Sequence, residues 1–142
     1  MNCPHCHQPL IRRNDPPYLL WICNRCGGCV ATIAALRKGI QHAFLQRAWN
    51  RAIGANRRAL ARCPGCSVLM DRVPTEGGPE IDLCRHCQMM WFDPGELNEL
   101  PKRATEDVAA DKWQDELRQM QRRREDSEFY TRMILRHFVW PF

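Results

Sequence analysis

Cys63-Pro64-Gly65-Cys66 and Cys84-Arg85-His86-Cys87, with 17 residues between them, decide how this chain folds. A Cys-x-x-Cys turn lets two sulfurs reach one ion while backbone N–H groups point at the thiolates. Two such turns joined by a short sheet close a tetrahedron. The intervening sequence suits that purpose: Val68-Leu69-Met70 and Ile81-Asp82-Leu83 are short apolar strands. Between them, Glu76-Gly77-Gly78-Pro79 carries the residues of a hairpin reversal.

The same design stands earlier in the chain. Cys3-Pro4-His5-Cys6 and Cys23-Asn24-Arg25-Cys26 have 16 residues between them, with Pro9-Leu10-Ile11 and Leu19-Leu20-Trp21-Ile22 as strands and Asn14-Asp15-Pro16-Pro17 as the turn. Both units fall within the spacing of four-cysteine zinc sites. The expected metal ligands are Cys3, Cys6, Cys23 and Cys26 for one Zn2+ and Cys63, Cys66, Cys84 and Cys87 for a second. A rubredoxin-like iron site uses the same donors, and spacing alone does not separate the two metals. Four thiolates close the coordination sphere, which makes the expected role structural.

Nine cysteines are an odd number, and the chain enters its first motif at Cys3 with no charged and apolar leader before it. No apolar run is long enough to span a membrane. Reduced thiols and a cytoplasmic location are therefore expected. Aligning Cys26 with Cys87 sets the ninth cysteine, Cys29, opposite Met90 and beside Val30 and Trp91, where a thiol serves as a small hydrophobe. His5, His7 and His86 read as solvent-facing turn residues. In Asp93-Pro94-Gly95-Glu96-Leu97, Asp93 is the expected helix cap and Glu96 its capping-box partner, and Thr32 is the equivalent cap in the first unit.

The fold class is a small, metal-stabilised α+β chain: two tandem four-cysteine zinc ribbons on short antiparallel sheets, each followed by a helix, with a C-terminal helical region. Residues 1–31 form the first ribbon and 63–100 the second with its short capped helix. Residues 32–62 read as a connecting basic amphipathic helix with Gly39 and Gly54 as breaks. Its apolar side would hold Leu45, Trp49, Ala52, Ile53 and Leu60, and its basic side Arg37, Arg47, Arg51, Arg58 and Arg62. Residues 101–142 are a helical tail whose apolar positions shift from Ala109, Trp113, Leu117 and Met120 to Phe129, Tyr130, Met133, Ile134 and Phe138. It ends in Val139-Trp140-Pro141-Phe142.

The second unit, from CPGC to WFDPGELNEL, resembles the TFIIB-type zinc-ribbon family of small prokaryotic proteins. That family shows CPxC, an apolar residue before the third cysteine, CxxCGG, an aromatic residue and a D-x-G-E-L helix start. Here Gln88-Met89 stands where the family has Gly-Gly. The first unit keeps CPxC and Cys26-Gly27-Gly28 without the later part of the pattern. The tandem arrangement is similar to the zinc-binding region ahead of some bacterial rhomboid proteases, but no membrane domain accompanies it, so no protease activity is implied. The resemblance implies zinc, the ribbon fold and a transcription-related role.

Charge is polarised. Residues 1–62 carry +9 and residues 63–142 carry −4, for a formal total of +5. A polyanion partner would meet the first half. The expected function is a non-enzymatic zinc protein that binds nucleic acid through basic residues 37–62, with Arg47, Arg51, Arg58 and Arg62 on one helix face. The alternative is an adaptor or regulatory module that docks a partner protein, one at a membrane included, or a second copy, through the helices and aromatic tail of residues 105–142. No nucleophile–base pair and no open metal position is legible, which sets enzymes aside.

Overall fold

The computed structural model describes residues 1–54 and 58–138, giving the backbone alone at 105, 106, 108, 110, 111, 131, 132 and 134–138. Residues 139–142 and the side chains of Ile134 and Phe138 lie outside what is described. Two compact units divide the chain, Met1–Arg103 and Ala104–Phe142.

The first ribbon is a three-stranded meander of β1 (Ile11–Asp15), β2 (Tyr18–Ile22) and β3 (Cys29–Thr32). A single helical turn follows, α1 (Ile33–Leu36), then α2 (His42–Gly54) and β4 (Arg58–Arg62). The second ribbon repeats the meander with β5 (Leu69–Val73), β6 (Ile81–Cys84) and β7 (Met89–Phe92), followed by another single turn, α3 (Glu96–Glu99). The second unit holds one helix, α4 (Thr105–Phe138).

The two expected small sheets are one. Strand order is β1-β2-β3-β7-β6-β5-β4, with every neighbouring pair antiparallel. The joint is β3 against β7, pairing Cys29 with Phe92, Val30 with Trp91, Ala31 with Met90 and Thr32 with Met89. When the ribbons are aligned through Cys26 and Cys87, Val30 is the counterpart of Trp91. The joint is thus an isologous interface inside one chain, with its pseudo-twofold axis at that pair. Joining removes one open edge from each ribbon and satisfies its backbone groups.

Period-two alternation then sorts the side chains to two faces. Cys29, Ala31, Leu83, Met90 and Phe92 point to one face, where Leu36, Ile40, Phe44, Leu45, Ala48 and Ala52 from the helical segment cover them. Val30, Trp91, Met70 and the cysteines Cys3, Cys23, Cys63 and Cys84 form the opposite core, with Ala59 and Ala61 of β4. Trp91 is 1% exposed. A ring of that size removes about 150–250 Å² from water, worth on the order of 4–6 kcal/mol by area.

The single connecting helix is corrected. Thr32 does cap a helix, its hydroxyl accepting from the Ala35 N–H at 3.1 Å, but that helix ends after one turn. Gly39 marks the break because a Cβ there would lie 2.5 Å from Pro17 and from the Tyr18 hydroxyl. α2 stops at Gly54, and Arg58–Arg62 is a strand, drawn out by pairing with β5. Its alternation buries Ala59 and Ala61 and leaves Leu60 94% exposed, and Ile53 of α2 is 57% exposed. Neither lies on a buried helix face. Beyond α3, the Arg103 N–H donates to Gly39 O at 2.8 Å and Gln41 N–H to Pro101 O at 3.0 Å, tying residues 101–103 to the α1–α2 turn. The tail is helical as expected, one continuous helix across residues 122–124.

Gly28 explains how two unequal ribbons share one axis. A Cβ at Gly28 would collide with the Trp91 ring. Its counterpart in the second ribbon is Met89, which pairs in register with Thr32. Gly28→Ala is expected to destabilise the protein by about 1–3 kcal/mol through overpacking, read by denaturant unfolding. In a Trp91→Leu background the added cost should shrink. An equal cost in both backgrounds would show that the indole is not what Gly28 accommodates.

Candidate metal centres

The knuckles are tight turns, and three of them share the same backbone hydrogen bonds. The N–H groups of His7, Gly27 and Ser67 donate to the carbonyls of Cys3, Cys23 and Cys63 at 3.0, 2.9 and 2.8 Å. The carbonyls of Gln8, Gly28 and Val68 accept from those same cysteines. The fifth residue of every turn is left-handed: His7 at φ 60, Gly27 at φ 77, Ser67 at φ 62 and Gln88 at φ 54. Gln88 therefore takes the conformation that glycine adopts at no steric cost, and its turn is intact without the Gly-Gly pair. Its carbonyl accepts from Ile33 N–H at 2.9 Å, a bond from the second ribbon to the helix of the first.

The eight expected ligands fall into two groups, one of Cys3, Cys6, Cys23 and Cys26 and one of Cys63, Cys66, Cys84 and Cys87, each with all four sulfurs within 4.8 Å of one another. Sulfur–sulfur separations of 3.5 Å (Cys3 to Cys26), 3.3 Å (Cys6 to Cys23) and 3.6 Å (Cys66 to Cys84) are far beyond a covalent bond. A tetrahedral ion with bonds of about 2.3 Å holds its sulfurs ~3.8 Å apart, so both cages fit zinc. Backbone N–H groups of His5, Gly65 and Cys87 point at the sulfurs of Cys3, Cys63 and Cys84, each at 3.4 Å. N–H groups facing sulfur favour its anionic form. In each cage one thiol is pulled down to about 6: Cys23 by the backbone N–H of Cys26, and Cys66 by that of Val68. Burial and the neighbouring thiols push Cys84 up to about 11 and Cys87 up to about 12. Four thiols this close do not all ionise alone, and a divalent cation supplies the compensating charge.

Two four-sulfur cages hold Zn2+ with no donor position left over, which makes the ions elements of structure. Cys29 lies outside both cages, 8% exposed. Burial, with a smaller push from the Glu96 carboxylate, raises its thiol to about 11, which suppresses the nucleophilic thiolate.

Asp93 does not cap helix α3. The residue preceding that helix is Gly95 at φ 92, with no side-chain cap. Asp93 Oδ1 instead accepts from Trp91 Nε1 at 3.2 Å and lies 3.3 Å from His5 Nε2. The other half of the expected box is present, Asp93 N–H donating to Glu96 Oε2 at 2.8 Å. His5, read from sequence as a solvent-facing turn residue, packs its ring 5.6 Å from the Trp91 ring. The first cage's own knuckle thus covers the central tryptophan of the second ribbon. Sequence reasoning missed this contact because only the β3–β7 pairing brings residues 5 and 93 together. His7 and His86 are exposed, as expected of turn residues.

The four arginines expected on one face are divided. Arg47 and Arg51 lie on α2, and Arg58 and Arg62 on β4. Arg51 pairs with Glu76 and donates to Pro74 O at 2.9 Å. Arg58 lies 3.5 Å from the buried Asp71, whose other oxygen accepts from Arg85 at 2.6 Å. Arg62 donates to Ser67 O at 3.0 Å.

Residues 62–103 match the family described as transcription factor zinc-finger, the TFIIB-type zinc ribbon. The first cage, at residues 3–26, lies outside that match and carries the same donor set. No curated protein and no solved structure matches the chain.

Elemental analysis of the purified protein is expected to give two zinc ions per chain and little iron; visible charge-transfer absorption would overturn the choice of metal. Acidification should release the metal, because protons compete for the thiolates. Cys84→Ser should lose one ion and, through the shared sheet, loosen the hold on the other. Cys29→Ala should keep both ions and cost on the order of 1 kcal/mol.

Proposed function

We propose that this chain is a non-enzymatic zinc protein whose two ribbons hold a basic surface against nucleic acid, in a transcription-related or regulatory role. One observation carries this reading. The side chains of Arg12, Arg13, Arg25, Arg37, Lys38 and Arg47 have no hydrogen-bond or ion-pair partner among the described residues. All six belong to the +9 first half of the chain. Cations left unpaired by the fold are free to displace counterions from a phosphate backbone. Arg51, Arg58 and Arg62 are engaged within the protein, so of the four arginines expected to make the contact only Arg47 is free for it. Arg12 also pairs in register with the half-buried Trp21, so the two residues share one face of the β1–β2 pair.

A second reading, docking to a partner protein or to another copy, draws on α4. Trp113, Leu117, Met120, Phe129, Tyr130 and Met133 are between 42% and 62% exposed along it. So much apolar surface on one helix favours association. Light scattering of the whole chain tests this: a concentration-dependent mass above that of the monomer, lost on Trp113→Gln with Leu117→Gln, is the expected result. A monomer at every concentration removes self-association.

For the nucleic-acid reading, fluorescence anisotropy against random single- and double-stranded oligonucleotides should show affinity falling steeply with salt. Changing Arg12, Arg13 and Arg25 together to Gln should weaken binding to unrelated sequences alike and lower the salt slope by about 2–3, since phosphate contacts carry no base information. Zinc content should not change. No binding to either form at low salt ends this reading. Binding unaltered by the Gln changes would take the contact away from β1 and the second knuckle and leave it to Arg37, Lys38 and Arg47.

A further inference from the structure

We propose that the cavity framed by α1, α2 and the β6–β7 turn is a nucleotide subsite in which Trp49 stacks on the base and Arg37 meets the phosphate. The proposal deepens the nucleic-acid reading and rests on it for the source of the nucleotide, which is a strand or a free monophosphate.

The cavity has a volume of about 390 Å³, at the lower end of the range for small-molecule sites. Its floor is apolar: Ile33 and Leu45 are buried, and Trp49 is half-buried against the same core. The rim is polar and exposed, made by Arg37, His42, Gln46 and Gln88, with no carboxylate among the lining residues. A flat aromatic floor with a cationic, amide-bearing rim selects a planar heterocycle carrying negative charge. The cavity lies on the helix-bearing face of the sheet, opposite the core that holds the buried cysteines, so neither metal ion takes part.

The rim groups retain capacity for such a ligand. The Arg37 guanidinium has no partner among the described residues, although its carbonyl is held by Arg103 at 3.1 Å and lies 3.3 Å from His42 Nε2. Gln46 donates its amide N–H to Asn50 at 3.1 Å, which leaves its carbonyl oxygen able to accept from a base. Side-chain amides of this kind read base edges through paired donor and acceptor.

Gln88 adds a second side-chain amide to the rim. It occupies the left-handed position of its knuckle at φ 54, where the first ribbon has Gly27 at φ 77. A non-glycine residue there costs about 1 kcal/mol relative to glycine. The zinc turn gains nothing from that side chain, yet it forms part of the cavity wall. The same left-handed position holds His7, Gly27 and Ser67 in the other knuckles, so what distinguishes Gln88 is its place in the cavity wall.

The test uses the zinc-loaded full chain, titrated by calorimetry with the four common ribonucleoside monophosphates and with inorganic phosphate, alongside anisotropy with single-stranded oligonucleotides. Saturable binding of at least one monophosphate, tighter than phosphate, is expected. Gln88→Gly, which relieves the strained turn, and Arg37→Gln should each weaken it about tenfold, the scale of a lost hydrogen bond to a charged group. Zinc content should be unchanged, and Trp49→Leu should reduce nucleotide binding to the level of phosphate. If no monophosphate binds while oligonucleotides bind wild type and Arg37→Gln alike, the subsite is overturned and the nucleic-acid reading stands. If monophosphates bind as expected and oligonucleotides do not, the subsite stands for free nucleotides and the surface reading falls. Phosphate binding as tightly as any nucleotide would overturn the stacking role of Trp49.

Discussion

Between β3 and β7 two zinc ribbons become one sheet, and the rest of the first unit depends on that pairing. A three-stranded ribbon has two exposed edges and one apolar face with little to cover it, so metal alone must hold it together. Pairing the third strands back to back removes an edge from each ribbon. It also brings Val30 and Trp91 together at the pseudo-twofold axis and builds a sheet of seven strands. At the axis the large Trp91 lies over Gly28, where any side chain would collide with its ring.

The sheet divides labour between its faces. One is closed by α1 and α2 in the ordinary way, through burial of aliphatic side chains. The other is closed by the buried sulfurs, by Trp91 and by the two alanines of β4. Metal and apolar core are thereby coupled, because Cys84 ends the strand whose Leu83 belongs to the helix-side core. The contact of His5 with Asp93 and Trp91 strengthens the link, tying a knuckle of the first cage to the second ribbon. Losing a metal therefore disturbs packing well beyond its own cage.

Charge is organised on the same scaffold. The carboxylates are concentrated in the second half of the sequence, and folding uses them locally: Glu76 takes Arg51, Asp71 takes Arg58 and Arg85, and Asp82 takes Arg72. Arg62 is held by a carbonyl instead. Arg12, Arg13 and Arg25, earlier in the chain, have no such acid partner among the described residues. The fold thus sharpens the polarity already present in the composition and leaves the free cations at β1, the second knuckle of the first cage and the helical segment.

By itself the sequence determined what short-range chemistry controls. Cys-x-x-Cys pairs, their spacing and the hairpin residues between them specify two cages with two strands each, because a tetrahedral ion tolerates few arrangements, although β1 lies at Ile11–Asp15 rather than at Pro9–Ile11. Thr32 was legible as a cap for the same reason, since its partner lies three residues away. Only the tertiary structure decided the rest. Cys29–Thr32 and Met89–Phe92 are four-residue apolar runs whose strand character comes from pairing with each other. Arg58–Arg62 has enough helix-favouring residues to extend α2, yet hydrogen bonds to β5 make it a strand and separate Arg58 and Arg62 from Arg47 and Arg51. Asp93 has the local pattern of a cap, but the indole N–H of Trp91 is the donor it meets. In each case the local preference amounts to a few tenths of a kcal/mol up to about 1 kcal/mol. The competing contacts, a strand edge or a buried aromatic ring, are worth more, and one of them, the β3–β7 pairing, forms only when the two ribbons join.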